Sequence, residues 1–301
     1  MDFSIVIPTR DRSVQLRACL DAVQHLAFPR DRFEVIVVDD GGREPVDVLV
    51  APFLQSMSLR VCEHPGRGPA SARNAGAAVA RGAYLAFTDD DCAPAADWLL
   101  RLREAMARNP GKLVGGRTVN ALADVPCSTA SQLLLDYLYA YYNRAPDDAT
   151  FLASCNVAVP AERFRELGGF DASYPRAAAE DRDLCARWRQ RGFGMVYAEH
   201  AVVYHRHRLS LADFCRQHAN YGQGAFRFHR THTTGKGGRV RVEPTAFYAG
   251  LLATPFVRRT PMRGRLTALL VLSQVANLVG FARAAWDDRR RGTAAPPSSG
   301  R

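Results

Sequence analysis

AYLAFTDDD, residues 83–91, sets a short apolar run directly before three aspartates. The run is too short for a helix and reads as a buried strand. Like charges at this spacing repel, and taking them out of water is costly, so a positive group belongs beside them. In an extended chain, residues i and i+2 point the same way. Asp89 and Asp91 are therefore expected to face one point in a cleft, and Asp90 another. One or two carboxylates plus substrate phosphates is the usual way of holding Mg2+ or Mn2+. A turn capping the next helix through Asp91 or Asp97 is the plainer alternative.

Outward from this stretch, strand and helix signals alternate. Residues 3–7, 33–38 (FEVIVV) and 59–62 read as strands. Residues 13–26 carry apolar side chains at helical spacing (Leu16, Cys19, Leu20, Val23, Leu26), and 70–80 and 97–108 also read as helices. This order predicts an α/β fold: a mostly parallel sheet flanked by helices, with ligands outside the carboxyl ends of the strands. Further on, 112–122, 151–159 and 195–197 read as extended. Residues 128–143, 160–167, 179–191 and 210–230 read as helical.

The strand ends gather polar chemistry. FEVIVVDDGG closes on Asp39 and Asp40, and the first strand leads into Pro8, Thr9, Arg10, Asp11 and Arg12. An acid at a strand end can accept hydrogen bonds from a ribose or a base. HPGRGPASARNAG, residues 64–76, is a Gly-rich loop running into a helix with Arg67 and Arg73, a combination able to hold a diphosphate. It is neither GxGxxG nor a P-loop, so dinucleotide dehydrogenases and P-loop NTPases fit poorly.

Taken in order, SIVIPTRDR, FEVIVVDDGG, GPASARNAG and AYLAFTDDD resemble the nucleotide-binding half of family 2 glycosyltransferases, which have the GT-A fold. LASCNVAVP (152–160), LGGFD (167–171) and AEDRDLCARW (179–188) are similar to the acceptor half, and the likeness covers about residues 3–225. The resemblance implies sugar transfer, with inversion, from a nucleotide-diphospho-sugar to an acceptor hydroxyl. A UDP-sugar is the favoured donor, and a glycan or lipid-linked molecule the acceptor. It assigns Pro8, Thr9, Arg12 and Asp39 to base and ribose, and sets Arg73 and Asp90 along the nucleotide. Asp89 and Asp91 go to a metal, Mg2+ or Mn2+. Asp181 of the Glu180-Asp181 pair becomes the general base, although acids in a first helical turn are also favoured by the helix dipole. In similar enzymes a later histidine completes the metal shell. Spacing favours His205 over His207, with a basic surface strand as the alternative. Trp188 would line the acceptor side or else be a core aromatic. Processive members carry QxxRW; here Leu184 stands at the Gln position before Arg187-Trp188, which points to addition of a single sugar.

Charge is unevenly spread. Residues 201–301 hold 17 Lys/Arg and 4 Asp/Glu, a balance of +13, and residues 1–200 hold 23 and 26, a balance of −3. The expected organisation is a GT-A domain over 1–230 (halves 1–120 and 121–230), a basic apolar helical extension over 231–291 and a disordered tail over 292–301. Within the extension, residues 266–286 are about long enough to cross a bilayer, but Gln274, Asn277 and flanking arginines favour lying on an anionic membrane surface. Seven scattered cysteines without a CxxC pair, and no secretory leader at the start, point to a reducing cytoplasm and a peripheral membrane location. A non-catalytic sugar-nucleotide-binding or scaffold protein is the competing reading. Nucleic acid is disfavoured as a partner because no aromatic platform interleaves the basic third.

Overall fold

Four apolar segments, too short for helices and rich in β-branched or aromatic residues, build the first half of the sheet. They are β1 (Phe3–Thr9), β2 (Phe33–Asp39), β3 (Leu59–Glu63) and β4 (Tyr84–Thr88). Helices α1 (Ser13–Gln24), α2 (Val46–Val50) and α3 (Pro69–Val79) connect them. The computed structural model describes residues 1–174, 176, 178–233 and 242–293. After β4 come a three-residue strand β5 (Cys92–Pro94), α4 (Trp98–Arg108), β6 (Leu113–Asn120) and α5 (Pro126–Tyr142). Then follow β7 (Asn156–Pro160), α6 (Ala161–Leu167), α7 (Glu180–Gln190) and β8 (Met195–His205).

The strands form one eight-stranded sheet in the order β3-β2-β1-β4-β7-β6-β8-β5. Four of its seven pairings are parallel and three, around β7 and β5, are antiparallel. In the parallel half, register aligns Thr9 with Asp39, and Asp39 with Glu63, so the polar residues collect along one sheet edge. The interior is continuous apolar packing: Ile5, Ile7, Val35, Val37, Leu85 and Phe87 are completely buried.

Two strand expectations change. Residues 151–155 are a loop, and only 156–160 pair as β7. Residues 195–197 begin a strand that runs on to His205 through the polar Glu199-His200 step, where a register shift against β6 lets it continue. Trp188 is also corrected. It is wholly buried, packs on Phe193 and donates its indole N–H to the Gly194 carbonyl at 3.0 Å, so it is a core residue and not part of an acceptor surface.

Asn156 braces the sheet below the aspartates. Its amide donates to the carbonyls of Arg117 and Ala201, and its Oδ1 accepts the Trp98 indole N–H at 2.8 Å; both Asn156 and Trp98 are wholly buried. Trp98→Phe keeps the ring packing but leaves Oδ1 buried and unsatisfied. The expected loss is about 1–3 kcal/mol, read as a lower urea midpoint at unchanged slope; an unaltered midpoint would show the bond to be dispensable.

The chain divides into two units, Met1–Arg208 and Leu209–Arg301. The second contains α8 (Leu211–Thr233), α9 (Thr245–Val257) and α10 (Arg263–Thr293). The boundary expected near 230 falls inside α8. Of the extension expected from 231, the first three residues complete α8 and 234–241 lie outside the described residues; of the tail expected over 292–301, residues 292–293 complete α10 and the rest also lie outside them.

Candidate active site

The strand β4 stops at Thr88, and a turn carries the chain through the aspartates into β5. The i, i+2 alternation therefore does not apply. Asp89 turns to Arg73, while Asp90 and Asp91 share Arg12 and each adds a further partner, Thr9 or His205.

Asp89 is gripped by Arg73, Nη2 to Oδ1 at 2.6 Å. Arg73 is only 2% exposed and extends its Nη1 to Glu180 at 3.1 Å, with its guanidinium over the Phe170 ring. Burial opposes the charge on Arg73, but Asp89 and Glu180 outweigh it and hold the group firmly protonated. Asp90 accepts from Thr9 Oγ1 at 2.8 Å and pairs with Arg12 Nη1 at 2.9 Å. Burial nevertheless pushes its carboxyl up to about 7, with Arg12 pulling the other way. Asp91 takes Arg12 Nη2 at 2.6 Å and lies 3.2 Å from His205 Nε2. Despite burial, His205 and Arg12 hold its carboxyl far below the usual carboxylate range.

The positive groups required by the opening stretch are thus arginine and histidine side chains. His205 arrives through pairing of β5 with β8, which sets Cys92 opposite His205. His207 joins as well: Asp91, His205 and His207 each bring a ligand atom within 4.8 Å of the others. Burial opposes the charge on His205, but Asp91 overcomes it and raises the imidazole to about 9. Burial lowers His207 to about 4, so it is neutral. One carboxylate and two imidazoles form a donor set that fits a divalent cation. Asp89, expected beside Asp91, is not part of this cluster.

Glu180 and Asp181 open α7 and differ in access. Glu180 is buried, paired to Arg73 and accepts the Ala178 N–H at 2.6 Å; burial and the neighbouring Asp181 push it up to about 7. Asp181 is half-buried and accepts N–H groups of Arg182 (2.7 Å) and Ser154. Burial raises its carboxyl above the ordinary value. The Ser154 loop is fixed from behind by Tyr139, whose Oη accepts the Ala153 N–H at 2.8 Å. Neither Tyr139 nor Ser154 carries a sequence signal for this placement, because it depends on loop closure across α5.

A cleft of about 300 Å3 is lined by Thr9, Asp11, Arg12, Leu16, Glu44 and Leu49. Thr9 and Arg12, two of the residues assigned to the nucleotide by the resemblance, both line this cleft. Asp39 stands at its strand end, accepting the Gly42 N–H at 2.8 Å, and Pro8 is buried in β1. Asp40, which the sequence sets beside Asp39, has a different role. It accepts from His64 Nδ1 (2.7 Å) and from the N–H groups of Arg67 and Gly68, ordering the Gly-rich loop ahead of α3.

A family model described as glycosyl transferase family 2 matches residues 4–168. The chain is 31% identical over 231 residues to a pre-mycofactocin glycosyltransferase of Mycobacterium tuberculosis, covering 74% of this chain and 47% of that protein. It spans about half the length of curated relatives that it matches. Among solved structures, the mannosyltransferase PcManGT from Pyrobaculum calidifontis, in complex with GDP-Man and Mn2+, superposes with a TM-score of 0.66. Identity there is 17%, over 95% of this chain and 87% of that one. The first 349 residues of Staphylococcus aureus TarS, in complex with UDP-GlcNAc, give 0.57 at 13% identity over 97% and 92%. These likenesses establish the GT-A fold.

Proposed function

We propose, because this chain belongs to glycosyl transferase family 2, that it moves one sugar from a nucleotide-diphospho-sugar to an acceptor hydroxyl with inversion. The observation that carries this reading is a cleft lined by Thr9 and Arg12, which bond Asp90 and Asp91, together with a half-buried carboxylate, Asp181, next in sequence to the Glu180 that Arg73 links to Asp89. Asp181 takes the proton as the acceptor oxygen bonds to the anomeric carbon and the bond to the diphosphate breaks. Its raised proton affinity and two fixed N–H donors suit a base held in one orientation. Thr9, Arg12 and Asp39 hold base and ribose. Glu180 keeps Arg73 in place rather than exchanging protons.

Asp91, His205 and His207 are the residues that would hold a divalent ion. The two imidazoles favour Mn2+ over Mg2+, which prefers an all-oxygen shell. When bound, the ion offsets negative charge on the departing diphosphate. UDP-sugars are the first donors to test, with GDP-sugars second, since solved neighbours hold UDP-GlcNAc and GDP-Man. Leu184 is buried where processive enzymes have Gln, which supports transfer of a single residue. The acceptor is a glycan or lipid-linked hydroxyl at the cytoplasmic face of a membrane.

Calorimetric titration of nucleotide sugars, with Mn2+ and with chelator, tests the reading. Tight donor binding only with Mn2+ is expected; identical affinities in both would overturn the metal-assisted scheme. Metal affinity also carries a pH signature. His205 must lose the proton it keeps up to about pH 9, so Mn2+ affinity should climb roughly tenfold per pH unit between 7 and 9, releasing one proton per ion. A flat profile would remove His205 from the shell.

A further inference from the structure

The second unit leaves one helical face bare. On α10 the side chains of Val271, Val275, Leu278, Val279, Ala282 and Trp286 are exposed. At 100° per residue they fall in one stripe, about 22 Å long at 1.5 Å per residue. Between Val271 and Trp286 the one other exposed side chain is Arg283. An aromatic ring lies under an arginine at the C-terminal end of the stripe and again at the start of α10, eight residues before Val271, where the ring belongs to α9. Arg263 lies 5.7 Å over exposed Phe256, and Arg290 lies 5.2 Å over Trp286. Arg258, Arg259 and Arg265 adjoin the start of α10 and Arg289 the C-terminal end of the stripe.

By length and composition α10 could cross a bilayer, its most apolar stretch having a mean hydropathy of 1.5. Its opposite face forbids this. There α8 crosses in backbone contact: a Cβ on Gly222 would lie 1.9 Å from the Asn277 carbonyl oxygen, and one on Gly280 1.9 Å from that of Ala219. Arg230 of α8 pairs with Asp288 of α10, and Arg216, Arg227 and Arg230 are exposed along α8. A spanning α10 would drag these arginines into hydrocarbon or tear the helices apart.

We propose that α10 lies flat on an anionic phospholipid bilayer, its apolar stripe in the acyl boundary and its two terminal arginine groups on acidic headgroups. A second copy of the chain is the poorer occupant, because helices paired along this stripe, parallel or antiparallel, bring arginine clusters together. The inference rests on the membrane location proposed above and not on the transfer chemistry, so lipid binding and turnover fail separately.

Flotation of the full chain with vesicles of phosphatidylcholine, alone or with roughly a third of phosphatidylglycerol, tests it. Binding to the anionic vesicles, release by alkaline carbonate and a blue shift of Trp286 emission are expected. The Val275→Asp/Leu278→Asp variant should lose about tenfold or more of its partitioning, whereas Val48→Asp, exposed in the first unit, should lose none. Arg263→Gln/Arg290→Gln should erase the preference for anionic lipid. Should the aspartate variant fail to fold, quenching of the wild-type tryptophans by bromolipids decides: shallow quenching supports the arrangement. Wild-type failure to float, retention after carbonate, undiminished binding of the aspartate variant, or a lipid-free dimer that this variant dissociates would each overturn it.

Discussion

Asp181→Asn should lower kcat by about 10²–10⁴-fold, the usual contribution of a positioned base, while donor affinity and melting temperature stay near wild type. The amide keeps the size and the acceptor oxygen that meets the Arg182 and Ser154 N–H groups, so only proton acceptance is lost. Glu180→Gln is the contrasting change. Glu180 is buried on Arg73 and takes no substrate proton in this scheme, so its loss should weaken the fold more than the chemical step. The pH profile separates them further. Asp181 must be ionised to act, and burial raises its carboxyl, so activity should fall on acidification at a pH above that of an exposed aspartate. Turnover in Asp181→Asn within threefold or so of wild type would remove the base assignment.

Arg73→Met should be the most damaging change to stability, about 3–5 kcal/mol of the 5–15 typical of a domain. Methionine fills the volume and keeps the contact with Phe170, but it strands Asp89 and the deeply buried Glu180 without a counter-charge. The sign of the pH effect follows. Glu180 already holds its proton up to about 7 in the folded chain, against about 4.5 unfolded, so its contribution favours the folded state at low pH and is lost as pH rises through that interval. Without Arg73 the loss should deepen, and the variant should be relatively more stable at pH 5 than at pH 8 by denaturant titration. Equal stability at both, close to wild type, would mean that Arg73 does not hold the acids in place.

Much of the fold was legible because β1, β2 and β4 are short apolar runs, the last two closed by acids, and because α1 and α4 bury residues at helical spacing. The placement of Thr9 and Asp39 on one sheet edge was legible for the same reason, since parallel register alone puts them side by side. The arrangement at the aspartates was not. Alternation holds only while a chain stays extended, and Asp90-Asp91 form a turn, so Asp89 swings to Arg73. Nor was the approach of His207, since spacing says nothing of how the chain bends beyond a strand end. Trp188 was ambiguous because an aromatic beside arginine reads alike in a core and at a surface; burial decided it.

The pairing of β5 with β8 has a kinetic consequence. Asp91 and His205 stand far apart in the chain and meet only when the last strand in sequence closes on a three-residue partner. Such non-local closure is among the slow events of folding. The cluster of Asp91, His205 and His207 is accordingly a late product: a nascent or refolding chain can complete its parallel half and still lack the proposed ion site. Recovery of Mn2+ binding should track the slowest refolding phase, and recovery in an early phase would show that the strands close first.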